Sequence, residues 1–264
     1  MLISITESCR MGCSHCMDDA KPCDRHMTLQ TFKDAIQKAF NVYGGFECVI
    51  TGGEPTENPQ WLEMFIYALE YAKGSIFKGA HITLTTNAMN IADNHDLQTY
   101  LMMLMQKYRN IFTIQVTHVD KYYPINVNLD NNFFKLEQVV VCHEIEAMYP
   151  MGRARVNNLP WNFKGSKCFN IRSLVRSTKD LRASTLALAT KMKFCTPQID
   201  IYGNIKLGES NLCPVASNIY KTEKEIVNDI CNFTCRGCDM INMNLPESYL
   251  EAIGEKVVKD ICYT

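Results

Sequence analysis

Leu2-Ile3-Ser4-Ile5-Thr6-Glu7-Ser8-Cys9-Arg10-Met11-Gly12-Cys13-Ser14-His15-Cys16 is the stretch from which the fold is read. Its first six residues alternate and are rich in isoleucine, the pattern of a strand that begins at once. The loop after it carries three cysteines, with three residues between the first pair and two between the second, and then Cys23. Thr28 reads as a helix N-cap, and Phe32, Ile36, Ala39 and Phe40 recur after it at helical spacing until Gly44-Gly45.

The same alternation continues outward. Glu47 to Thr51 predicts a short buried strand, broken by Gly52-Gly53-Glu54-Pro55. Trp61 to Tyr71 predicts an apolar helix with Glu63 and Glu70 on its wet side. His81 to Thr86 predicts a third strand, Leu97 to Tyr108 a helix, and Ile111 to Val116 a fourth strand. Strand and helix in regular order predict a parallel sheet with right-handed crossovers. Between Thr117 and Pro150 only Leu136 to Cys142 reads as a strand, too little for two further strand-helix units. Arg172 to Met192 predicts a helix, and Ile199 to Leu207 a hairpin turning at Tyr202-Gly203-Asn204. Cys195 to Cys238 reads as cysteine-rich loop. No internal repeat or low-complexity linker interrupts the chain.

Bulk properties narrow the class. The 264 residues suit one main α/β domain with a small C-terminal appendage. Apolar residues make up 47%, enough for a full core, and the formal charge of -1 calls for neither nucleic acid nor anionic membrane as partner. No apolar run reaches the length of a membrane span, and Met1 to Glu7 lacks the basic and apolar regions of a signal peptide. The expectation is a cytoplasmic protein. Thirteen cysteines, clustered and odd in number, point in that compartment to metal rather than to disulfides.

Iron–sulfur clusters are held by cysteine thiolates, commonly four. Three close cysteines wrap a cluster and leave one iron open to a small molecule. Zinc is the alternative, with Cys23 or His26 completing four ligands. The Cys9, Cys13, Cys16 spacing after a first strand resembles the signature of the radical S-adenosylmethionine (SAM) superfamily. That resemblance implies a [4Fe-4S] cluster whose open iron chelates SAM and whose electron splits it to a 5'-deoxyadenosyl radical. It also implies a partial, trimmed parallel β/α barrel. His15 stands where the family often has an aromatic residue.

Other motifs extend the resemblance. Gly52-Gly53-Glu54-Pro55 resembles the family's SAM amino-group motif: the glycines let the backbone approach a ligand, and Glu54 suits an ammonium group. Ligands of parallel α/β folds bind at the carboxyl ends of the strands. Thr85-Thr86-Asn87 there resembles the family's pattern near the adenosyl part. Gln115 is a candidate for the same side, and His118 and Asp120 are candidates for proton transfer. Tyr149 to Arg155 resembles a Gly-Arg-Ala segment leaving the barrel, with Arg153 as a bidentate partner for a carboxylate. Each of these polar groups also reads as an ordinary loop residue. Cys48, Cys142 and Cys262 lie in or near apolar runs and read as inert core.

The hairpin at Ile199 to Leu207, flanked by Cys195 and Cys213 and followed by Cys235 and Cys238, resembles a twitch or SPASM-type extension. The resemblance implies an auxiliary iron–sulfur cluster on Cys195, Cys213, Cys235 and Cys238. Cys231 repeats the triad spacing and is a further candidate ligand, and a structural zinc site is the competitor. The expected organisation is a barrel core at 1–155, a helical connection at 156–194 and the auxiliary region at 195–264.

The expected activity is reductive SAM cleavage followed by hydrogen abstraction, for an oxidative modification of a peptide, a protein or a small polar molecule. The short, trimmed chain with one late cluster resembles radical dehydrogenases acting on an aminocyclitol. An electron donor such as flavodoxin or ferredoxin is implied. Two alternatives stand beside this reading: a glycyl-radical-activating enzyme, and a non-enzymatic zinc-stabilised binding module.

Overall fold

The computed structural model describes residues 1–43, 47–75, 80–144, 152–159, 197–206 and 213–232. Five strands, β1 (Leu2–Ser4), β2 (Glu47–Thr51), β3 (His81–Thr86), β4 (Phe112–Thr117) and β5 (Val139–Cys142), lie parallel and in sequence order. Helices α1 (Leu29–Tyr43), α2 (Trp61–Gly74) and α3 (His95–Lys107) connect the first four. On its other side β1 pairs in parallel with β6 (Gln198–Ile199), and β7 (Asn204–Lys206) and β8 (Val215–Asn218) continue antiparallel. The result is one sheet of eight strands in the order β5-β4-β3-β2-β1-β6-β7-β8. It is the α/β architecture of a partial parallel barrel: among the described residues, edge strands β5 and β8 do not meet.

Period-two alternation explains why this sheet has one apolar and one polar face. On β4, Phe112, Ile114 and Val116 are buried and Thr113, Gln115 and Thr117 are half-buried. The apolar set packs against helices, with Phe65 of α2 meeting Phe112 edge-on at 4.8 Å between ring centroids. Of the polar set Gln115 and Thr117, with Thr85 and Thr51, line the cavity of the barrel interior. Helix α1 buries Phe32, Ile36, Ala39 and Phe40, as its spacing predicts. Its start is fixed by Thr28 Oγ1, which accepts the Thr31 N–H at 3.1 Å.

Some boundaries differ from the pattern. Helix α3 begins two positions before Leu97, because Asn94 caps it by accepting the Leu97 N–H at 3.0 Å. Strand β5 begins at Val139, because Asn131 starts a short 3-10 turn over Asn132–Lys135 that consumes the preceding residues. The Gly-Arg-Ala segment is a short helix, α4 (Gly152–Val156), rather than loop. The late cysteine-rich stretch is also more ordered than its composition predicts, holding β8 and helix α5 (Glu223–Asn232). Tyr202-Gly203 forms the expected hairpin turn, with Gly203 at φ +79°. Gly44-Gly45, the helix predicted at 172–192, and Cys168, Cys195, Cys235, Cys238 and Cys262 lie outside the described residues.

Candidate active site

The loop between β1 and α1 is stitched to the loop after β2. Gly53 N–H donates to Thr6 O at 2.8 Å and Glu54 N–H to Ser8 O at 2.7 Å. The two glycines are required by this contact. A Cβ on Gly52, whose φ is +147°, would stand 2.5 Å from Thr6 O, and one on Gly53 would stand 2.2 Å from Ser8 O. The close approach is therefore to the chain itself, where the sequence suggested a ligand.

Glu57 fastens the same loop. Its carboxylate accepts the Ser8 hydroxyl at 2.5 Å, the Arg10 backbone N–H at 2.8 Å and Arg10 Nε at 3.2 Å. Arg10 Nη2 reaches on to Asn90 Oδ1 at 2.8 Å, so one acidic residue ties together the loops after β1, β2 and β3. Sequence reasoning missed Glu57, since a lone acid after a turn reads as surface. Its side chain is only 7% exposed. Glu57→Ala strands a hydroxyl and an N–H and is expected to cost about 1–3 kcal/mol. Thermal denaturation should show this as a Tm lower by roughly 2–12 °C, with Glu57→Gln falling between.

Glu54 is held from within the protein. It is 1% exposed, and its Oε1 accepts Thr56 N–H at 3.2 Å, Thr56 Oγ1–H at 2.6 Å and Thr86 Oγ1–H at 2.6 Å. Its Oε2 accepts the Asn87 N–H at 2.7 Å. Burial pushes its carboxyl up from the ordinary range, against the pull of these donors. Both oxygens are engaged inside the protein, which makes this cavity-lining side chain a fixed post between strands.

One cavity of about 700 Å³, in the range that holds a small-molecule cofactor, collects most of the predicted residues. Cys9, Cys13, Cys16, Gly52, Gly53, Glu54, Asn87, Gln115 and Arg153 all line it. Pro55 does not; it starts a 3-10 turn beneath the loop. The three cysteines are free thiols close enough to couple: burial first, and then the charge of neighbouring groups, pushes Cys9 up to about 11 and Cys13 up to about 12. Among the described residues no group of three His, Cys, Asp or Glu side chains is placed to hold a single metal ion. Cys23 and His26, the suggested fourth zinc ligands, do not line the cavity, and His26 Nδ1 is bonded to Thr6 Oγ1 at 2.7 Å.

Arg153 braces the cysteine loop from α4. Its Nε donates to Cys13 O at 2.8 Å, and its Nη1 to Ala20 O at 2.8 Å and Asp19 at 3.1 Å. Its buried Nη2 has no hydrogen-bond partner among the described residues. His15 lies against Tyr122 and Tyr123, at 5.1 and 5.6 Å between ring centroids. Burial pushes its imidazole down to about 4, and its buried Nδ1 also lacks a partner. Three thiols with two orphaned polar atoms on the same cavity fit a thiolate-held cluster and a polar, carboxylate-bearing cofactor.

His118 is buried beside Tyr123 at 5.2 Å between centroids and is not part of the cavity wall, and Asp120 begins a 3-10 turn. Cys142, read from sequence as inert core, is half-buried on the cavity wall with His143 and Glu144 after β5. Its place as the last residue of a parallel strand was the available signal. Of the late cysteines, Cys213 is half-buried before β8 and Cys231 falls on α5.

Comparison with known proteins decides the family. The model described as the Radical SAM superfamily matches residues 3–135, just over half of the chain. The chain belongs to the radical SAM superfamily. It is therefore a radical SAM enzyme, and the family implies a [4Fe-4S] cluster and SAM as its cofactors. The GTP 3',8-cyclase of Actinobacillus succinogenes is 31% identical over 98 residues, which is 35% of this chain and 27% of that protein. The chain thus matches about a quarter of that relative's length. BtrN, solved in complex with AdoMet and 2-DOIA, is similar in structure at a TM-score of 0.51 and 13% identity, over 88% of this chain and 81% of that one. Streptococcus suis SuiB, solved bound to precursor peptide SuiA, is similar at a TM-score of 0.50 and 13% identity, over 89% and 67% of the two chains. Both share the fold. No described helix is long and apolar enough to cross a membrane.

Proposed function

We propose that Cys9, Cys13 and Cys16 hold the catalytic cluster and that SAM binds beside it in the cavity they line, for an oxidative modification of a peptide or a small polar molecule. The observation that carries this reading is the convergence of three free thiols, the Gly52-Gly53 backbone, Asn87, Gln115 and Arg153 on one cavity. When bound, the cluster supplies an electron and SAM a hydrogen-abstracting radical. The chain's own residues do the rest. The Gly52 to Glu54 stretch lines the cavity and offers main-chain groups to the amino end, beside the Glu54 carboxylate that Thr86 and Asn87 hold in place. Arg153 turns its unpartnered Nη2 toward a carboxylate. Thr85, Gln115 and Thr117 present polar groups from the strand ends. Burial keeps His15 neutral, so it offers one donor and one acceptor rather than a charge.

Arg153→Ala is expected to weaken SAM binding by roughly 10- to 100-fold, the loss of about 1.5–3 kcal/mol for a hydrogen bond to a charged group. Equilibrium binding of SAM to protein with unchanged iron content measures this. An unaltered Kd would remove Arg153 from the site.

The auxiliary region remains part of the proposal. The hairpin of β6 and β7 with Cys213 after it supports a second cluster on Cys195, Cys213, Cys235 and Cys238, with Cys231 as the further candidate. The division into core (1–155), connection (156–194) and auxiliary region (195–264) belongs with it, as do the cytoplasmic location and the flavodoxin- or ferredoxin-type donor. The late cysteines would hold a second cluster able to accept the electron left by hydrogen abstraction, which would make the net reaction an oxidation. One structural relative is bound to 2-DOIA and the other to a precursor peptide, and both substrate classes stand. Iron, sulfide and zinc content of anaerobically purified protein tests the assignment. About eight irons per chain support two clusters, about four with zinc make the tail structural, and zinc alone removes the proposal.

A further inference from the structure

Asn87 lines the cavity, and its side-chain Nδ2 lies 3.7 Å from Cys9 Sγ, with both residues buried. The orientation of the amide is fixed by a neighbour, because Asn87 Oδ1 accepts the Met89 backbone N–H at 2.9 Å. An N–H, rather than the carbonyl, is therefore what meets the sulfur.

The turn that carries this amide is held from several sides. Asn87 N–H donates to Glu54 Oε2 at 2.7 Å, Thr86 Oγ1–H donates to Glu54 Oε1 at 2.6 Å, and Ala88 N–H donates to Thr86 Oγ1 at 3.0 Å. Ala88 is fully buried with φ +63°, a left-handed conformation that a residue with a Cβ keeps only when its surroundings impose it. A strained backbone, a buried carboxylate and a threonine hydroxyl thus converge on aiming one side-chain amide at one cysteine.

Hydrogen bonds to the sulfurs are among the factors that set the reduction potential of an iron–sulfur cluster. Reduction adds negative charge that the sulfurs share, so an N–H donor favours the reduced form. Cys16 Sγ has a donor too, the Ala20 backbone N–H at 3.4 Å, but a backbone donor is not removed by substitution. Asn87 supplies one that is.

We infer that Asn87 is a positioning residue that donates its amide N–H to Cys9 Sγ and raises the reduction potential of the cluster, with Glu54 as the post that aims it. This rests on the assignment of that cluster to Cys9, Cys13 and Cys16.

The test is an anaerobic potentiometric titration of the full chain with dithionite, each cluster taking up one electron. It is followed by the paramagnetic signal that changes shape when SAM is added, which separates this cluster from any held by the late cysteines. For Asn87→Ala, the reduced-to-oxidised ratio at the wild-type midpoint should fall about tenfold, a midpoint lower by about 59 mV for a one-electron couple. Asn87→Asp, similar in shape but without the donor, should fall at least as far and serves if the alanine variant loses iron. Glu54→Gln should move the midpoint in the same direction by less. A wild-type midpoint in Asn87→Ala or Asn87→Asp that keeps its iron overturns the inference. Retention of the SAM-sensitive signal in Cys9→Ala overturns instead the cluster assignment beneath it.

Discussion

Cys13→Ala is expected to reduce SAM cleavage to the uncatalysed background and to remove about four irons per chain, without touching any iron held by the late cysteines. Cys13 lies between the other two in the loop, and its thiol couples to both Cys9 and Cys16. Its carbonyl receives Arg153 Nε, so the loop is braced at this residue and has no slack for a substitute ligand. The same result is expected for Cys9→Ala and Cys16→Ala. Iron analysis with quantitation of 5'-deoxyadenosine under reducing conditions decides it, and cleavage that survives Cys13→Ala would sink the assignment.

Gly53→Ala is expected to be the most damaging single methyl in the described structure. The added carbon would sit 2.2 Å from Ser8 O and 2.7 Å from Ser8 C, both backbone atoms that cannot swing aside. Separating the loops to make room breaks Gly53 N–H to Thr6 O and Glu54 N–H to Ser8 O. Overpacking and two lost hydrogen bonds together cost about 3–6 kcal/mol, a large share of the ~5–15 kcal/mol that holds a domain folded. Gly74→Ala is the control, because Gly74 ends α2 with nothing within 4 Å of an added Cβ. Its Tm should match or exceed that of the parent. Equal Tm for the two variants would mean that the loops after β1 and β2 are not packed as described.

Much of the core was legible because its physical signals are local. Strands β2, β3 and β4 announce themselves by short apolar or alternating runs, α1 by Phe32, Ile36, Ala39 and Phe40 behind the Thr28 cap, and the candidate site by cysteine spacing at the end of a strand. What was missed depends on contacts between residues far apart in sequence. Glu57 reads as a solvated acid until Ser8 and Arg10 are brought to it from 49 and 47 positions away. Glu54 carries the right charge for an ammonium group, and only the arrival of Thr86 and Asn87 from the next strand shows that it also ties strands together. Cys142 sits in an apolar run, and its exposure to the cavity follows from where β5 stops. Polar Asn94-His95-Asp96 hid the first turn of α3, since an apolar-spacing rule begins counting at Leu97.

The brace from Arg153 to Cys13 spans 140 positions of sequence. Strand β1 likewise gains its β6 neighbour only when Gln198 and Ile199 arrive. At ~5–20 residues per second, the ribosome delivers Arg153 roughly 7–30 s after Cys13. During that interval the cysteines are translated but unbraced, exposed to oxidation and to stray metal. The loop proposed to hold the cluster is thereby completed late, by a segment that contains none of the three cysteines.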